Sequence, residues 1–405
     1  YPGSIVAVLS ESAGSDGIVS AKSTLNSLDA IKEAKQVRIA YTPNSPSQHL
    51  LKTVAVDFDM RRFLKPDRSW SLPATGSAQA LEYLKSDQAD IAVLWEPELS
   101  TAVQKNNFLP IIDTSSTRGL IVDVLVVSRA TLSEKPEIAK SLLAAYFDVL
   151  REFRRDRSAF IEALAEDSET DTETAENIAK GIAWISYEEN LSVWFGIDGG
   201  STSRKQFRLY DAIERTVQVL VDYGDFGKTP LPQGDPRSLI YSRLLDDVSL
   251  SGQSSPENPS ALSGQSSLSY DFSALSEAAW QRLSKVGTLR MRPISFQSGT
   301  NSLSDSGIVA IEQMIDSLKD YPSFRVIVSG HTSDRGDPRA NRELSKRRAQ
   351  EVVDYIVREY AVDPDRMLAL GFGGEQPLTR IPAESYRAYL NRLSRVEFSF
   401  VRDSL

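Results

Sequence analysis

Apolar residues in the first part of the chain recur at two alternating spacings. Short apolar runs of strand length occur at residues 4–9, 37–41, 89–95, 109–112 and 120–128, and helical spacing occurs between them, near residues 27–35, from Ser47, and at 77–86. From Pro136 the spacing of three and four residues persists, which predicts helices over 136–154, 158–166, 172–187 and 205–223. The alternation indicates an α/β domain with a mainly parallel sheet, whose ligands bind at the carboxyl ends of the strands.

A second periodic region follows a segment rich in serine. Residues 249–269 contain Leu-Ser-Gly-Gln-Ser-Ser twice, beginning at positions 250 and 262. Twenty-one such residues reach roughly 25 Å as a flexible coil, so they predict a linker. We therefore expect a domain over 1–248, with one lobe at about 36–115, and an independently folding domain over 270–405. Residues 270–290 are spaced like an amphipathic packing helix.

Within the second domain, residues 324–329 alternate like a strand, and helical spacing extends from Leu344 to Tyr360. The loop between them carries three short polar side chains, Thr332, Ser333 and Asp334, and the helix opens with the basic residues Arg339, Arg342, Lys346, Arg347 and Arg348. A guanidinium group matches a carboxylate bidentately, while Asp334 or loop carbonyls could receive an ammonium group, so the pattern suits a zwitterionic ligand. From the residues alone, a solvated charged helix face remains the alternative.

The same stretch resembles the peptidoglycan-binding domain shared by OmpA, Pal and MotB-like proteins. The resemblance covers about residues 289–402, with 294–296 similar to the first strand, and its motif reads Gly330-His331-Thr332, Gly336, Asn341, Leu344-Ser345 and Arg348-Ala349. It implies a βαβαβ α+β fold. In that family, the Asp after His-Thr and the Arg before Ala bind the diaminopimelate residue of the peptide stem. Arg348 matches the second position, Ser333 occupies the first, and the implied site is Thr332, Ser333, Asp334, Asn341, Leu344 and Arg348.

Composition and charge limit which kinds of partner, metal site and activity are compatible with the sequence. The formal net charge is -9 with 25% charged residues, which disfavours a nucleic-acid partner. The chain has no cysteine and 2 histidines, which excludes disulfides and thiolate metal sites and disfavours any His-rich metal site, so we expect no metal and no cofactor. No apolar run approaches the ~18 to 20 residues of a transmembrane helix. No nucleophile, base and orienting group can be identified, so we do not expect an enzyme.

In the first domain, a Ser-rich loop at residues 42–49 follows the strand at 37–41 and leads into a helix. Free amides and the helix dipole make such a place a potential anion site, although Ser, Asn and Pro are also the ordinary residues of helix starts. Trp184 and Trp194 are interpreted as packing residues.

From Ile5 to about Leu245 the chain resembles the periplasmic substrate-binding proteins of the nitrate, sulfonate and taurine uptake class. The resemblance is carried by residues 14–18, 45–51, 89–97, 123–127 and 134–137. It implies two lobes that close on a small anion or amine, with a cleft lined by Ser12, Gly14, Ser45, Ser47, His49, Trp95 and Glu96. The family begins with a strand and a helix that would precede Ile5. We therefore expect an incomplete first lobe and poor binding of free solute.

Together these resemblances give a periplasmic-binding-protein-like α/β domain followed by an OmpA-like α+β domain. We expect a cell-envelope protein of the periplasm, anchored non-covalently to peptidoglycan, that carries a solute-binding module and contacts an ABC permease. The alternative is a structural adaptor between the cell wall and a membrane or envelope partner, with a degenerate solute-binding domain.

Overall fold

The structure is a computed structural model that describes residues 2–64, 69–197, 208–246, 248, 270, 272–297 and 300–403. The chain divides into two compact units. Unit 1 comprises Tyr1–Ser23, Gln36–Val56 and Arg61–Leu268, and unit 2 comprises Thr24–Lys35, Asp57–Met60 and Ser269–Leu405. The predicted linker, 249–269, lies outside the described residues.

The β-strands of the described residues are β1 (Gly3–Ser12), β2 (Asp16–Ser20), β3 (Ile39–Tyr41), β4 (Ser71–Pro73), β5 (Ile91–Trp95), β6 (Leu109–Asp113), β7 (Val122–Ser128), β8 (Ile182–Trp184), β9 (Ser284–Thr288), β10 (Arg325–Gly330), β11 (Met367–Gly371) and β12 (Val396–Arg402). The α-helices are α1 (Leu28–Glu33), α2 (Pro46–Asp57), α3 (Ser77–Lys85), α4 (Glu98–Ser100), α5 (Arg129–Glu134), α6 (Pro136–Arg155), α7 (Arg157–Asp167), α8 (Thr172–Lys180), α9 (Tyr187–Glu189), α10 (Arg208–Tyr223), α11 (Arg243–Asp246), α12 (Glu277–Trp280), α13 (Asp305–Asp320), α14 (Pro338–Tyr360) and α15 (Tyr386–Leu393). Short 3-10 helices span Arg61–Leu64, Thr114–Ser116, Pro232–Gly234, Pro236–Leu239 and Pro364–Arg366, and π-helical turns span Thr101–Lys105 and Asn190–Trp194.

Unit 1 contains two β-sheets. The first has the order β7-β1-β8, and both of its pairings are antiparallel. The second has the order β4-β3-β5-β2-β6, in which β3 pairs in parallel with β4 and β5, and β2 pairs antiparallel with β5 and β6. The prediction of a mainly parallel sheet was therefore wrong, because β1 and β2 both run against their neighbours.

Helix α6 shows how the sequence builds the layer over the first sheet. Pro136 begins the helix, where no backbone donor is needed, and Ala139, Leu143, Phe147 and Leu150 recur at spacings of three and four. These residues are buried in one apolar cluster with Val6 and Val8 of β1. Trp194 lies in the same core and is 1% exposed, as expected for a packing residue, while Trp184 is partly buried against it.

Unit 2 is a four-stranded sheet with the order β11-β10-β12-β9 and three longer helices, α13, α14 and α15. Strands β10 and β11 are parallel, joined through α14, whereas β12 lies antiparallel to β10 and to β9. Helices α13 and α14 bury one face each through Ala310, Ile311, Met314, Val352 and Ile356. The arrangement is the predicted α+β fold.

Helix α1 belongs to unit 2, although more than 200 residues separate it from β9 in the chain. The carboxylate of Asp29 accepts hydrogen bonds from the backbone N–H of Thr288 at 3.0 Å and from its hydroxyl at 2.8 Å. It also pairs with the ammonium group of Lys285 at 2.7 Å. Leu28 and Ile31, on the same helix, are each 1% exposed. The α1 helix is therefore an integral part of this unit.

The second N-terminal segment of unit 2, Asp57–Met60, enters its aromatic core. Tyr321 donates its hydroxyl proton to the Asp57 carboxylate at 2.7 Å, and the Phe58 ring lies 5.7 Å from Tyr321 and 6.1 Å from Phe400. A Cβ atom at Gly287 would lie 2.7 Å from Phe58, so this strand position accepts only glycine without displacement. Unit 2 is thus more than residues 270–405, in contrast to the expected independent C-terminal domain.

Three local predictions also differ from the structure. Residues 270–290 were expected to form a packing helix, but they contain the single turn α12 and strand β9. The expected helix over 172–187 ends at Lys180, because residues 182–184 pair with β1. The first strand of the C-terminal sheet is β9 rather than residues 294–296, of which Phe296 makes an isolated bridge to Leu303.

Candidate functional site

The predicted strand, loop and helix are β10, residues 331–337 and α14. The end of β10 lies directly against α14, because a Cβ atom at Gly330 would be 2.1 Å from the backbone oxygen of Ser345. Asp337 caps the helix by accepting a hydrogen bond from the backbone N–H of Ala340 at 2.8 Å, and Pro338 occupies its first turn. The loop is therefore fixed at both ends.

Asn341 determines the shape of the loop. Its side-chain amide donates to the backbone oxygens of Ser333 at 3.3 Å and Arg335 at 2.7 Å, while the Thr332 hydroxyl donates to the same Ser333 oxygen at 3.1 Å. On the opposite side, Gly374 lets a second loop approach, since a Cβ atom there would lie 2.7 Å from the Asp334 Cα. Thr332, Ser333, Asp334 and Asn341 are thus brought together, and Asn341 acts by shaping the backbone.

Arg348 lies about two turns beyond Asn341 along α14 and is partly buried. Its Nε donates to the backbone oxygen of Thr300 and its Nη1 to the Ser394 hydroxyl, both at 3.1 Å, while its guanidinium lies 4.9 Å from the centre of the Phe296 ring. Within the described part of the chain, Arg348 forms no ion pair. Burial lowers its pKa, because the charge loses water without gaining a carboxylate. A guanidinium group without an ion pair can accept a hydrogen-bonded anion.

These contacts of Arg348 run to Thr300 and Ser394 rather than to the 332–334 loop. Thr300 and Ser394 lie 48 and 46 residues from Arg348 in the chain, and neither was predicted as a site residue. The one signal for the second in the sequence is its place next to the charged residues Arg395 and Glu397. Leu344 is partly buried one turn before Arg348.

The Glu397 carboxylate contacts both Arg395 and His331, the residue at which the loop begins. The His331 ring is 1% exposed and stacks 5.5 Å from the Phe372 ring, and its Nε2 lies 3.6 Å from Glu397. Arg395 Nε donates to Glu397 Oε1 at 2.6 Å. Burial alone would raise the pKa of Glu397, but His331 and Arg395 together lower it to about 2. This carboxylate is therefore fully paired and supports the loop.

The seven predicted solute-binding residues fall into two groups on different elements of unit 1. In the first, the Ser12 hydroxyl donates to the Asp16 carboxylate at 2.7 Å and lies 2.7 Å from the Thr114 hydroxyl, which also accepts from the backbone N–H of Gly14 at 2.9 Å. Asp16 pairs with Trp95 across β2 and β5, and the backbone N–H of Glu96 donates to the Ser15 oxygen at 2.9 Å. Ser12, Gly14, Trp95 and Glu96 are thus neighbours around Asp16.

Carboxyl groups dominate this first group. Burial, opposed by the Ser12 hydrogen bond and reinforced by Asp123, raises the pKa of Asp16 to about 6. Burial also raises the pKa of Glu96, although Ser100 donates two hydrogen bonds to it. Among the described residues, Asp16, Glu96 and Asp123 form no ion pair. The region therefore favours a proton or a cationic group over an anion.

The second group, Ser45, Ser47 and His49, lies at the start of α2. Ser45 donates to the backbone oxygen of Thr42 at 2.6 Å, and the fully buried Ser47 hydroxyl accepts from the Thr42 N–H at 3.1 Å. These bonds form an ordinary helix start. A cavity of about 300 Å³ beside it is lined by Asn44, Ser45, Pro46, Gln48, His49, Lys52 and Leu220.

The described residues contain no group of three or more His, Cys, Asp or Glu side chains arranged to bind a metal ion. No helix among them is both long and apolar enough to cross a membrane.

Residues 295–389 match the OmpA family, which confirms the predicted OmpA-like domain. Outer membrane porin F of Pseudomonas aeruginosa is 32% identical over 100 residues, 25% of this chain and 29% of that protein. The peptidoglycan-binding protein ArfA of Mycobacterium bovis is 29% identical over 113 residues, 28% of this chain and 34% of that protein. The chain thus spans about a third of the length of these relatives.

The N-terminal part of the chain is similar to solved structures. One of these structures is a putative sulfonate ABC transporter protein, the periplasmic sulfonate-binding protein SsuA of Methylobacillus flagellatus KT. The match includes 60% of this chain and 68% of that protein, at 12% sequence identity and a TM-score of 0.43. At this TM-score the likeness identifies no ligand.

Proposed function

We propose that this is a cell-envelope protein whose unit 2 binds the peptide stem of peptidoglycan non-covalently, with Arg348 receiving a carboxylate of the diaminopimelate residue. The observation that carries the proposal is the partly buried guanidinium of Arg348, which forms no ion pair among the described residues and lies inside the OmpA match. The similarity to a protein named peptidoglycan-binding supports it. A periplasmic, wall-associated location follows from this ligand.

The contacts of Arg348 explain why it suits a carboxylate. Thr300 and Ser394 occupy Nε and Nη1, and Phe296 lies against the guanidinium plane, so the orientation of the group is set before a ligand arrives. The Nη2 amino group remains available for a charge-assisted hydrogen bond. A ligand carboxylate would supply the opposite charge that Arg348 lacks.

The loop provides the second half of a zwitterion site. Ser333 stands where the OmpA-like pattern has Asp, and Asp334 follows it, so Asp334 and the loop carbonyls are the acceptors for an ammonium group. The backbone oxygen of Ser333 already accepts hydrogen bonds from Asn341 and Thr332. We therefore expect Ser333→Asp to strengthen stem-peptide binding by adding a carboxylate at this position.

The test is a calorimetric titration of a diaminopimelate-containing stem peptide against the full chain and its variants. Arg348→Ala should weaken binding roughly ten- to a hundredfold, because a charge-assisted hydrogen bond contributes about 1.5–3 kcal/mol. Arg348→Lys should resemble Arg348→Ala, since an ammonium group cannot reproduce the planar fork.

Arg347→Ala is the matched control, because this exposed neighbour points about 100° away around the helix and should bind like wild type. Circular dichroism must show that all variants are folded. Equal affinities of wild type and Arg348→Ala would contradict the proposal and leave only a solvated helix face.

For unit 1, the carboxyl groups around Asp16 favour a small amine over a small anion, if the unit acts as a solute-binding module for an ABC permease. Thermal-shift measurements with a panel of amines and of sulfonates or nitrate at neutral pH would test this role. Stabilisation by an anion alone would contradict the charge argument. No stabilisation by any solute would favour the adaptor function, in which unit 1 is a degenerate binding domain. We assign the chain no catalytic role.

A further inference from the structure

Helix α6 carries a second apolar face outside the core of unit 1. Its inner face packs in the apolar cluster that also contains residues of β1. Its outer face presents a separate set of apolar side chains, in which Ile138 is 61% exposed, Leu142 is 52% exposed and Val149 is 48% exposed. Ala145, between them, is exposed as well. We call Ile138, Leu142, Ala145 and Val149 the outer stripe.

The outer stripe is one continuous line along the helix. Its four residues follow one another at spacings of four, three and four positions. At about 100° per residue they lie within an arc of about 60° around the helix axis. This is the spacing of the apolar seam in a coiled coil, where two helices pack side by side. An apolar line that stays this exposed within the described part of the chain marks an interaction site.

The order of residues in the outer stripe matches its own reverse. When two antiparallel copies of α6 are centred on the middle of the stripe, Ile138 of one copy lies level with Val149 of the other. Leu142 likewise lies level with Ala145. Each layer then sets a larger apolar side chain against a smaller one, which allows the two helices to approach closely.

The charges at the two ends of the stripe are complementary in the same arrangement. In the next layer outwards, Lys135 of one copy lies level with Glu152 of the other, because this pair of positions has the same centre as the apolar pairs. Both side chains are exposed. A parallel pair of helices would instead place each of these charges beside its own copy. The charges therefore favour the antiparallel arrangement.

The polar residues beside the stripe argue against a lipid surface as the occupant. Helices that lie on membranes have a polar face rich in Lys and Arg. In α6, the Lys140 ammonium lies 3.0 Å from the Glu137 carboxylate, and the Arg151 guanidinium lies 3.9 Å from the Asp148 carboxylate. These basic residues are balanced by acidic ones, so the flanks of the stripe are not a cationic surface.

We propose that the outer stripe of α6 binds a second copy of this chain, forming a two-fold symmetric dimer in which the two α6 helices pack antiparallel. A two-fold contact uses the same patch on both copies, so it requires a surface that is complementary to itself. One pair of helices of this length buries less area than a standard protein interface, so the expected dissociation constant is roughly micromolar. The dimer concerns unit 1 and does not depend on the stem-peptide site.

Sedimentation velocity of the full chain tests the dimer, because the sedimentation coefficient should rise between about 1 and 100 µM protein. Leu142→Lys should weaken association roughly a hundredfold, since it places two ammonium groups close to the symmetry axis in an apolar contact. Val309→Lys is the matched control, because Val309 is a 46% exposed residue of helix α13 in unit 2. It should associate like wild type, and circular dichroism should show that both variants are folded.

An exchange of charges tests whether the chain pairs with itself. Lys135→Glu and Glu152→Lys should each weaken the dimer roughly three- to tenfold, because each change sets like charges against one another at both ends of the contact. The chain with both changes should regain the wild-type affinity, since the opposite charges are restored in exchanged places. Failure of the double exchange to restore association contradicts the proposed pairing.

Introduced cysteines measure the direction of the two helices, because the chain has no cysteine of its own. In the antiparallel dimer, the two copies of residue 145 lie roughly 5 Å apart along the helix axis, and the two copies of residue 152 lie roughly 25 Å apart. A short bismaleimide should therefore cross-link Ala145→Cys into a dimer and leave Glu152→Cys uncross-linked. Cross-linking of both variants, or of neither, contradicts the antiparallel arrangement.

Two results of the sedimentation experiment overturn the proposal. A chain that stays monomeric up to about 100 µM is the result expected if a different protein or another segment of polypeptide covers the outer stripe. A dimer that Leu142→Lys leaves intact uses some other surface. If Leu142→Lys is unfolded, Val149→Lys takes its place, because it introduces the same charge at the end of the stripe.

Discussion

Asp16 of unit 1 and Glu397 of unit 2 are carboxyl groups whose surroundings shift the pKa in opposite directions. In unit 1, Asp16 is 6% exposed and its pKa is raised to about 6, because burial is the largest effect on it. In unit 2, burial also acts on Glu397, but His331 and Arg395 lower its pKa to about 2. Desolvation is common to both carboxyl groups, so the presence of a cationic partner decides the outcome.

The same comparison distinguishes what each unit can bind. In unit 2, Glu397 pairs with Arg395, whereas Arg348 forms no ion pair in the described part of the chain. Unit 1 gathers Asp16, Glu96 and Asp123 with no cation at ion-pair distance among the described residues. The charges therefore favour an anion beside Arg348 in unit 2 and a proton or an amine beside Asp16 in unit 1.

Two phenylalanines five positions apart, Phe58 and Phe63, belong to different units and can be used to test the division of the chain. Phe58 is fully buried in unit 2, and Phe63, 1% exposed, packs 5.2 Å from Trp70 in unit 1. Each change to Ala should lower the free energy of unfolding of its own unit by about 3–5 kcal/mol. Hydrogen exchange should show faster exchange in β10 and β12 for Phe58→Ala and in β3 and β5 for Phe63→Ala. Loss of protection in β3 and β5 for Phe58→Ala would contradict the assignment.

A second prediction uses the raised pKa of Asp16. Because this pKa is higher in the folded state than the ordinary value of 3.8 for an Asp carboxyl, the stabilisation is complete below about pH 4 and is lost as the pH rises through about 6. The loss amounts to about 3 kcal/mol. Asp16→Asn keeps an acceptor for Ser12, so it should be more stable than wild type at pH 7.5 and similar at pH 4.

Urea unfolding followed by tryptophan fluorescence measures this difference, since Trp70, Trp95, Trp184 and Trp194 all lie in unit 1. Asp87→Asn, at an exposed position where Asn tolerates the positive φ of 56°, is the control. The prediction is contradicted if wild type becomes more stable, relative to the Asp16→Asn variant, as the pH rises from 4 to 7.5.

The smallest effect is expected at Asp29, whose charge has the partners that Asp16 lacks. Burial would raise its pKa, but Lys285 and Thr288 lower it, so its stabilisation is present at neutral pH and is lost on acidification. Asp29→Ala should destabilise unit 2 by about 1–2 kcal/mol at pH 7 and by less at pH 3. Glu33→Ala, an exposed carboxyl on the same helix, should have little effect in the same denaturation series. Equal effects of the two changes would indicate that the Asp29 contacts do not stabilise the unit.

Much of the local structure follows from the sequence. The alternation at 324–329 and the helical spacing to Tyr360 correspond to β10 and α14, because both elements bury one regular face. The capping pair Asp337 and Pro338 begins the helix at a place that local chemistry specifies. Gly330 and Arg348 likewise belong to a compact motif, so their places in the strand and helix could be predicted.

Partners that are distant in the chain could not be predicted. Residues 284–288 form a strand because the edge of β12 is available to pair with them, and Gly287 leaves room for Phe58. No local pattern indicates that α1 packs beside β9 or that Thr300 and Ser394 orient Arg348. The sequence by itself determined the α/β and α+β character and the motif around Arg348, since periodicity and capping act over a few residues. Only the tertiary structure decided which segments belong to unit 2, that Glu397 is paired with Arg395, and that Asp16, Glu96 and Asp123 form no ion pair among the described residues. The reason is that packing and desolvation depend on residues that the fold alone brings together.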